Sequence, residues 1–158
     1  MGVPHTGGRH ANAWFGKSKL SVVERYVNKL MRTGKYTGKK QGAMKAFEEA
    51  LDTMAERSGD NPFQMFVYAI CYAAPIEEIT RIKFGAVSQP KAVDASPSRR
   101  LDIALRKLAA GAASGTRKSK RTLTQCIVNE LTKASTGDVT AFAVAKKEEV
   151  ERIAASAR

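Results

Sequence analysis

A chain of 158 residues with 43% hydrophobic side chains can build one compact domain with a real core, which excludes wholesale disorder and leaves too little for two ordinary domains. Lys and Arg total 27 against 15 acids, a net charge of +12, and so large an excess repels itself in the folded state until a polyanion relieves it. No transmembrane run or secretory signal is present, because the first apolar residues are interrupted by Lys, Arg, Gly and His.

In chain order, residues 1–18 ("MGVPHTGGRHANAWFGKS") hold four glycines and a proline without a usable period, and read as an irregular N-terminal arm ahead of a single helical domain, 19–158. Ser21 and Glu24 form a capping-box pattern before Val22, Val23, Tyr26, Val27, Leu30 and Met31, which predicts a first helix ending near Gly34. After the link "GKYTGKK", Met44, Phe47, Leu51, Met54 and Ala55 line one side of a second helix. Asn61 and Pro62 open a third, with Phe63, Phe66, Val67, Ile70 and Ala74 inward until Pro75 stops it.

The stretch "TRIKFGAVSQPKAVDASPSRRLD" then swaps helical spacing for alternation and turns at a glycine, so it predicts a protruding two-stranded hairpin. Pro90 suits an exposed strand, and Arg81 and Lys83 should make one face basic and leave the other partly apolar. Pro97 launches a fourth helix with Leu101, Ala104, Leu105, Leu108 and Ala112 inward. Its other side carries Arg99, Arg100, Arg106 and Lys107, with Asp102 placed to pair with Arg106. Leu123, Ile127, Leu131 and Ala134 mark a fifth helix ended by "STGD". A sixth, with Val150, Ile153, Ala154 and Ala157 inward, is expected after Lys146 and Lys147. The fold class is mainly α: a six-helix bundle with a β-arm between helices three and four.

Catalysis finds no foothold. No P-loop, GxGxxG or HExxH occurs, and the paired acids Glu48–Glu49 and Glu148–Glu149 point about a quarter-turn apart on their helices, so no enzyme and no cofactor are expected. A zinc site from His5, His10, Cys71 and Cys126 lacks CxxC or HxxxH spacing, and no metal is expected. Both cysteines lie among apolar neighbours and read as buried, reduced thiols of a cytosolic protein.

Charge is unevenly spread: net +9 over residues 1–45, −6 over 46–80 and +9 over 81–158. The clusters "GKYTGKK", "SPSRR", "TRKSKR" and "AKK" are placed in linkers or first helical turns, where amide donors and the helix dipole suit phosphate. No helix pairs a wide apolar face with an uninterrupted basic one, so a nucleic acid fits better than a membrane surface. A winged-helix DNA reader needs a basic recognition helix before its wing, and Phe63–Ala74 has no Lys or Arg; a large RNA met through many loops fits better. The alternative is a free regulator, a winged-helix-like DNA binder or an mRNA-binding autoregulator.

The blocks "VERYVNKLMRTGKYTGKKQ", "NPFQMFVYAI…AAPIEEITRIKFG", "QPKAVDASPSRRLDIALRKLAAGA", "KSKRTLTQCIVNEL" and "FAVAKKEEVERIAASAR", in order over the whole chain, resemble the universal small-subunit ribosomal protein seven family. "VPHTGGRHA" and the closing "SAR" are similar to its archaeal and eukaryotic branch, whose eukaryotic member is numbered five. The resemblance implies a cytoplasmic structural constituent of the small subunit. It would bind the 3′ major domain of the rRNA and help assemble the subunit head, near the platform protein numbered eleven. The arm (79–93, strands Ile79–Phe84 and Gln89–Val93) would lie close to mRNA and exit-site tRNA through Arg81, Lys83, Phe84, Gly85, Ala86 and Lys91. The rRNA-binding candidates are Arg9, His10, Lys17, Lys19, Lys35, Lys39, Lys40, Arg99, Arg100, Arg106, Arg117, Lys118, Lys120, Arg121, Lys146 and Lys147. Where many members carry a double glycine at the arm tip this chain has "FGAV", and Ala86 resists a positive-φ turn that glycine accepts.

Overall fold

The computed structural model describes residues 6–85 and 87–157, and of Phe84 the backbone alone. His5 and the tip residue Ala86 lie outside the described residues.

Six α-helices and one hairpin follow in the expected order: α1 (Val22–Leu30), α2 (Lys40–Ser58), α3 (Pro62–Ala73), β1 (Glu77–Phe84), β2 (Val87–Asp94), α4 (Pro97–Gly115), α5 (Leu123–Ser135) and α6 (Phe142–Ser156). Short 3₁₀ turns occupy Arg9–Asn12, Gly16–Lys19 and Gly34–Tyr36. The fold is centred on α5, which packs against α2, α3 and α4 and buries Ile127 and Leu131 completely. Tyr26, Phe47 and Phe66 bring α1, α2 and α3 together as an aromatic triad, with ring centroids 5.2–5.3 Å apart in tilted and edge-on arrangements. Leu105 and Leu108 of α4 complete the buried layer.

The capping box differs in place from expectation. Ser21 makes no side-chain cap on α1, and the reciprocal half of the box is lost because Glu24 is drawn away to other partners. The reciprocal capping box forms instead at Thr122 and Gln125, where each side chain accepts from the other's backbone amide at 3.3 Å. The sixth helix begins at Phe142 rather than after Lys147, so Lys146 and Lys147 sit inside it.

Several apolar stripes are wider than the buried face. Phe66, Ala69, Ile70 and Ala73 of α3 are buried, whereas Phe63, Val67, Tyr68 and Tyr72 are half exposed, as are Val22 of α1 and Ile153 of α6. Cys126 is buried as expected, but Cys71 faces outward from α3. In α3 every residue is uncharged, so periodicity could not say which side the core would take.

The hairpin is longer than expected, with Glu77 opposite Asp94 and Phe84 opposite Val87. Cross-strand partners share a face, so Ile79, Arg81 and Lys83 lie on one side with Ser88, Pro90 and Ala92. Lys91 pairs with Thr80 and therefore belongs to the opposite face with Ile82 and Val93. Basic side chains thus occur on both faces of the arm, with Lys91 sharing the second, partly apolar face with Glu78. Its root is fixed by the Ile76 amide donating to Glu151 Oε1 at 2.9 Å and the Ala95 amide donating to the Ile76 carbonyl at 2.9 Å.

Candidate nucleic-acid interface

Cations from four parts of the chain stand in three settings, separated by what each already binds. The first is a network under the N-terminal arm. Glu24, buried on α1, accepts the Thr6 amide and hydroxyl (both 3.0 Å) and the Lys40 ammonium (2.8 Å). Asp102 of α4 pairs with Lys17 and with Arg25, whose Nη2 is 2.8 Å from Oδ1; it does not pair with Arg106. Two acids far apart in sequence, one on α1 and one on α4, therefore pin residues 6–17 onto the bundle.

Burial pushes both carboxyls up, but the opposing cations and donors more than offset this and hold both below the usual carboxylate range. A depressed folded pKa contributes stability that is present above the unfolded value and lost as pH falls through the folded one. Amide hydrogen exchange followed from about pH 6 down to about pH 3 should therefore show protection at Gly16 and Leu20 lost before that of Leu105 and Ile127. Simultaneous loss would mean that these pairs do not hold the arm separately.

The second setting is a cleft at the root of the β-arm. Arg99, Arg106 and Lys107 of α4 and Lys146 and Lys147 of α6 line one cavity of about 210 Å³, with Glu78 as its single acid. Arg99 hydrogen-bonds Glu78, Lys146 pairs with Glu149, and Lys147 lies 3.9 Å from Glu151. Arg106 is exposed. Arg100 does not line the cleft and donates from Nε to the Pro75 carbonyl at 3.0 Å. Arg99, Arg106 and Lys107 thus converge with Lys146 and Lys147 because α4 and α6 pack against each other beneath β1.

The third setting is two exposed loops. Arg117, Lys118, Lys120 and Arg121 join α4 to α5; all four are exposed, and none forms an ion pair among the described residues. Lys35 sits 5.9 Å from the Tyr36 ring centroid and Lys39 is exposed just before α2. Arg9 and Lys19 are exposed on the N-terminal arm, with His10 half buried between them. On the β-arm Arg81, Lys83 and Lys91 are exposed and Gly85 turns at φ +60. Sequence reasoning passed over Arg25, Lys29, Arg32, Trp14 and Phe15. The last two carried a readable signal: adjacent aromatics in a glycine-rich basic arm have no apolar stripe to join.

The chain is matched from residue 3 to residue 158 by the family model described as ribosomal protein S7p/S5e. It belongs to that family. The assignment bears out the resemblance read from the five sequence blocks. Among its curated relatives, the small ribosomal subunit protein uS7 of Archaeoglobus fulgidus is 51% identical over 156 residues, covering 99% of this chain and 80% of the relative. The proteins of the same name from Thermoplasma volcanium and Picrophilus torridus are each 49% identical over 154 residues, covering 98% of this chain and 84% and 82% of theirs. This S7p/S5e member is therefore a ribosomal protein of the small subunit and not an enzyme. No described helix is long and apolar enough to cross a membrane.

Proposed function

We propose that this chain binds the 3′ major domain of small-subunit rRNA and helps assemble the subunit head in the cytoplasm. The convergence of Arg99, Arg106, Lys107, Lys146 and Lys147 on one cleft carries the reading, because five cations held against three carboxylates invite a polyanion. Exposed cations at Lys35, Lys39 and 117–121 extend the contact, and Arg9, His10 and Lys19 meet RNA from the arm. Lys17, Lys40 and Arg100 already serve internal partners, and they position the surface while adding to its charge. The β-arm reaches toward the mRNA exit path and the exit-site tRNA, a reading supported by the exposed Arg81, Lys83 and Lys91 on its two faces. Other faces meet neighbouring proteins, among them the platform protein numbered eleven.

Binding to a transcript of that rRNA domain should weaken steeply with salt, each neutralised phosphate contributing about 0.7–0.9 to the log–log slope. A flat response would overturn the proposal. In a sucrose gradient the protein should travel with small subunits, and a pool confined to the free fractions would favour a regulator instead.

A further inference from the structure

Trp14 and Phe15 are 94% and 81% exposed, the most exposed large hydrophobic side chains among the described residues. They stand on a segment that is held down, not loose. The Thr6 contacts with Glu24 and the Lys17 pair with Asp102 anchor its two sides. Between them Gly16 approaches the chain so closely that a Cβ would fall 2.3 Å from the His10 carbonyl oxygen. Phe15 itself is left-handed, at φ 55 and ψ 15, with its carbonyl accepting the Ser18 hydroxyl at 2.8 Å.

A bulky aromatic at positive φ is strained, and folding alone would place glycine there. Burial cannot be the compensation, since the ring is in solvent. The Ser18 amide and hydroxyl, both donating to the Phe15 carbonyl, hold the turn, but they call for no aromatic ring there, and an exposed ring kept at a strained position points to use by a ligand.

The surroundings say which ligand. Trp14 borders a cavity of about 770 Å³ with Arg9, His10 and Lys19. Phe15 borders a second, of about 790 Å³, with Arg25, Lys29 and Arg32. The acid at that second cavity, Asp102, is already neutralised by Lys17 and Arg25. Flat aromatic faces beside cation-lined hollows are what an unpaired nucleotide requires: a platform for its base and positive charge for its phosphates.

We infer that Trp14 and Phe15 form a stacking platform for unpaired bases of the bound RNA. The inference rests on the rRNA-binding reading above and adds to it that this contact is made through bases and not through charge alone. Trp14 is the chain's one tryptophan, so its emission reports the site directly.

The test titrates the full-length protein with a transcript of the rRNA domain and, separately, with heparin, a polyanion without bases. The transcript should quench Trp14 emission and heparin should bind without quenching it. Phe15→Gly should unfold at the same temperature as the native chain or higher, since the strain is gone, while transcript affinity falls roughly tenfold or more. Tight transcript binding with unchanged Trp14 emission, equal quenching by heparin, or full affinity in Phe15→Gly would each overturn the platform and leave rRNA binding standing. Absence of transcript binding by the native protein would overturn both.

Discussion

Glu130→Ala should lower stability by about 2–4 kcal/mol at neutral pH, a fall in melting temperature of roughly 5–15 °C for a domain of this size. The reason is that Glu130, buried on α5, caps a different helix. Its Oε1 accepts the Ala143 amide at 2.9 Å and its Oε2 the Phe142 amide at 3.3 Å, which are the first amides of α6. Ala141, the residue before that helix, has no side chain to do so. Removing the carboxylate orphans one buried and one partly buried donor, at about 1–3 kcal/mol for the buried one and less for the other, while relief from burying a charge returns part of the loss. Burial raises the Glu130 carboxyl above its ordinary value despite these two amide bonds. A raised folded pKa gives stability that is present below the unfolded value and lost as pH rises through the folded one. The native-minus-variant difference should therefore be larger near pH 4 than at neutrality, whereas the difference between Glu130→Gln and Glu130→Ala, neither of which titrates there, should not change with pH. Gly111→Ala supplies the companion. A Cβ there would lie 2.6 Å from the Glu130 carboxyl carbon, so the carboxylate must leave its amides. That loss of about 1–3 kcal/mol exceeds the helix-propensity gain of about 1 kcal/mol, whereas in the Glu130→Ala background the same change should be neutral or favourable.

The number, order and type of the elements could be read from the chain because amphipathic spacing and Pro or Gly punctuation are local signals. Asn61 and Pro62 open α3 as expected, and the Asn61 side chain accepts the Phe63 amide at 3.0 Å. What failed depends on long-range partners. The i,i+4 rule offered Asp102 to Arg106, but Lys17 and Arg25 reach it from 85 and 77 residues away, Arg25 in a partly buried setting. Glu24 left its capping box for Lys40 and Thr6 for the same reason. Glu130 was passed over because its role appears once α6 is set against α5. Lys146 and Lys147 were misplaced to the start of a helix, yet their company with Arg99 and Arg106 could not have been read at all, since it is made by packing. The Thr122–Gln125 box, by contrast, is a local signal, and it stands in plain view in "TLTQ".

The same distinction between paired and unpaired charge predicts where RNA affinity can be removed without touching the fold. Changing Arg117, Lys120 and Arg121 to Ala and Lys118 to Gly should cut the log–log salt slope of rRNA binding by about three, at about 0.7–0.9 for each phosphate no longer neutralised. Lys118 becomes Gly because its φ is +53, where Ala would be strained. Melting temperature should stay within about 2 °C, because surface changes away from packed or bonded features stay within about 0.5 kcal/mol. The loop's own order survives the change: the Arg121 amide still donates to Ser119 Oγ, Thr122 still caps α5, and Thr116 remains buried at the end of α4. Lys17 and Lys40 form the contrast, since each satisfies a partly or fully buried carboxylate and its removal should lower affinity and stability together. If the quadruple variant keeps the native slope, the 117–121 loop is a solvated face and RNA is held by the α4–α6 cleft and the arms. If instead its melting temperature drops with its affinity, the loop's charges act on the fold despite their exposure.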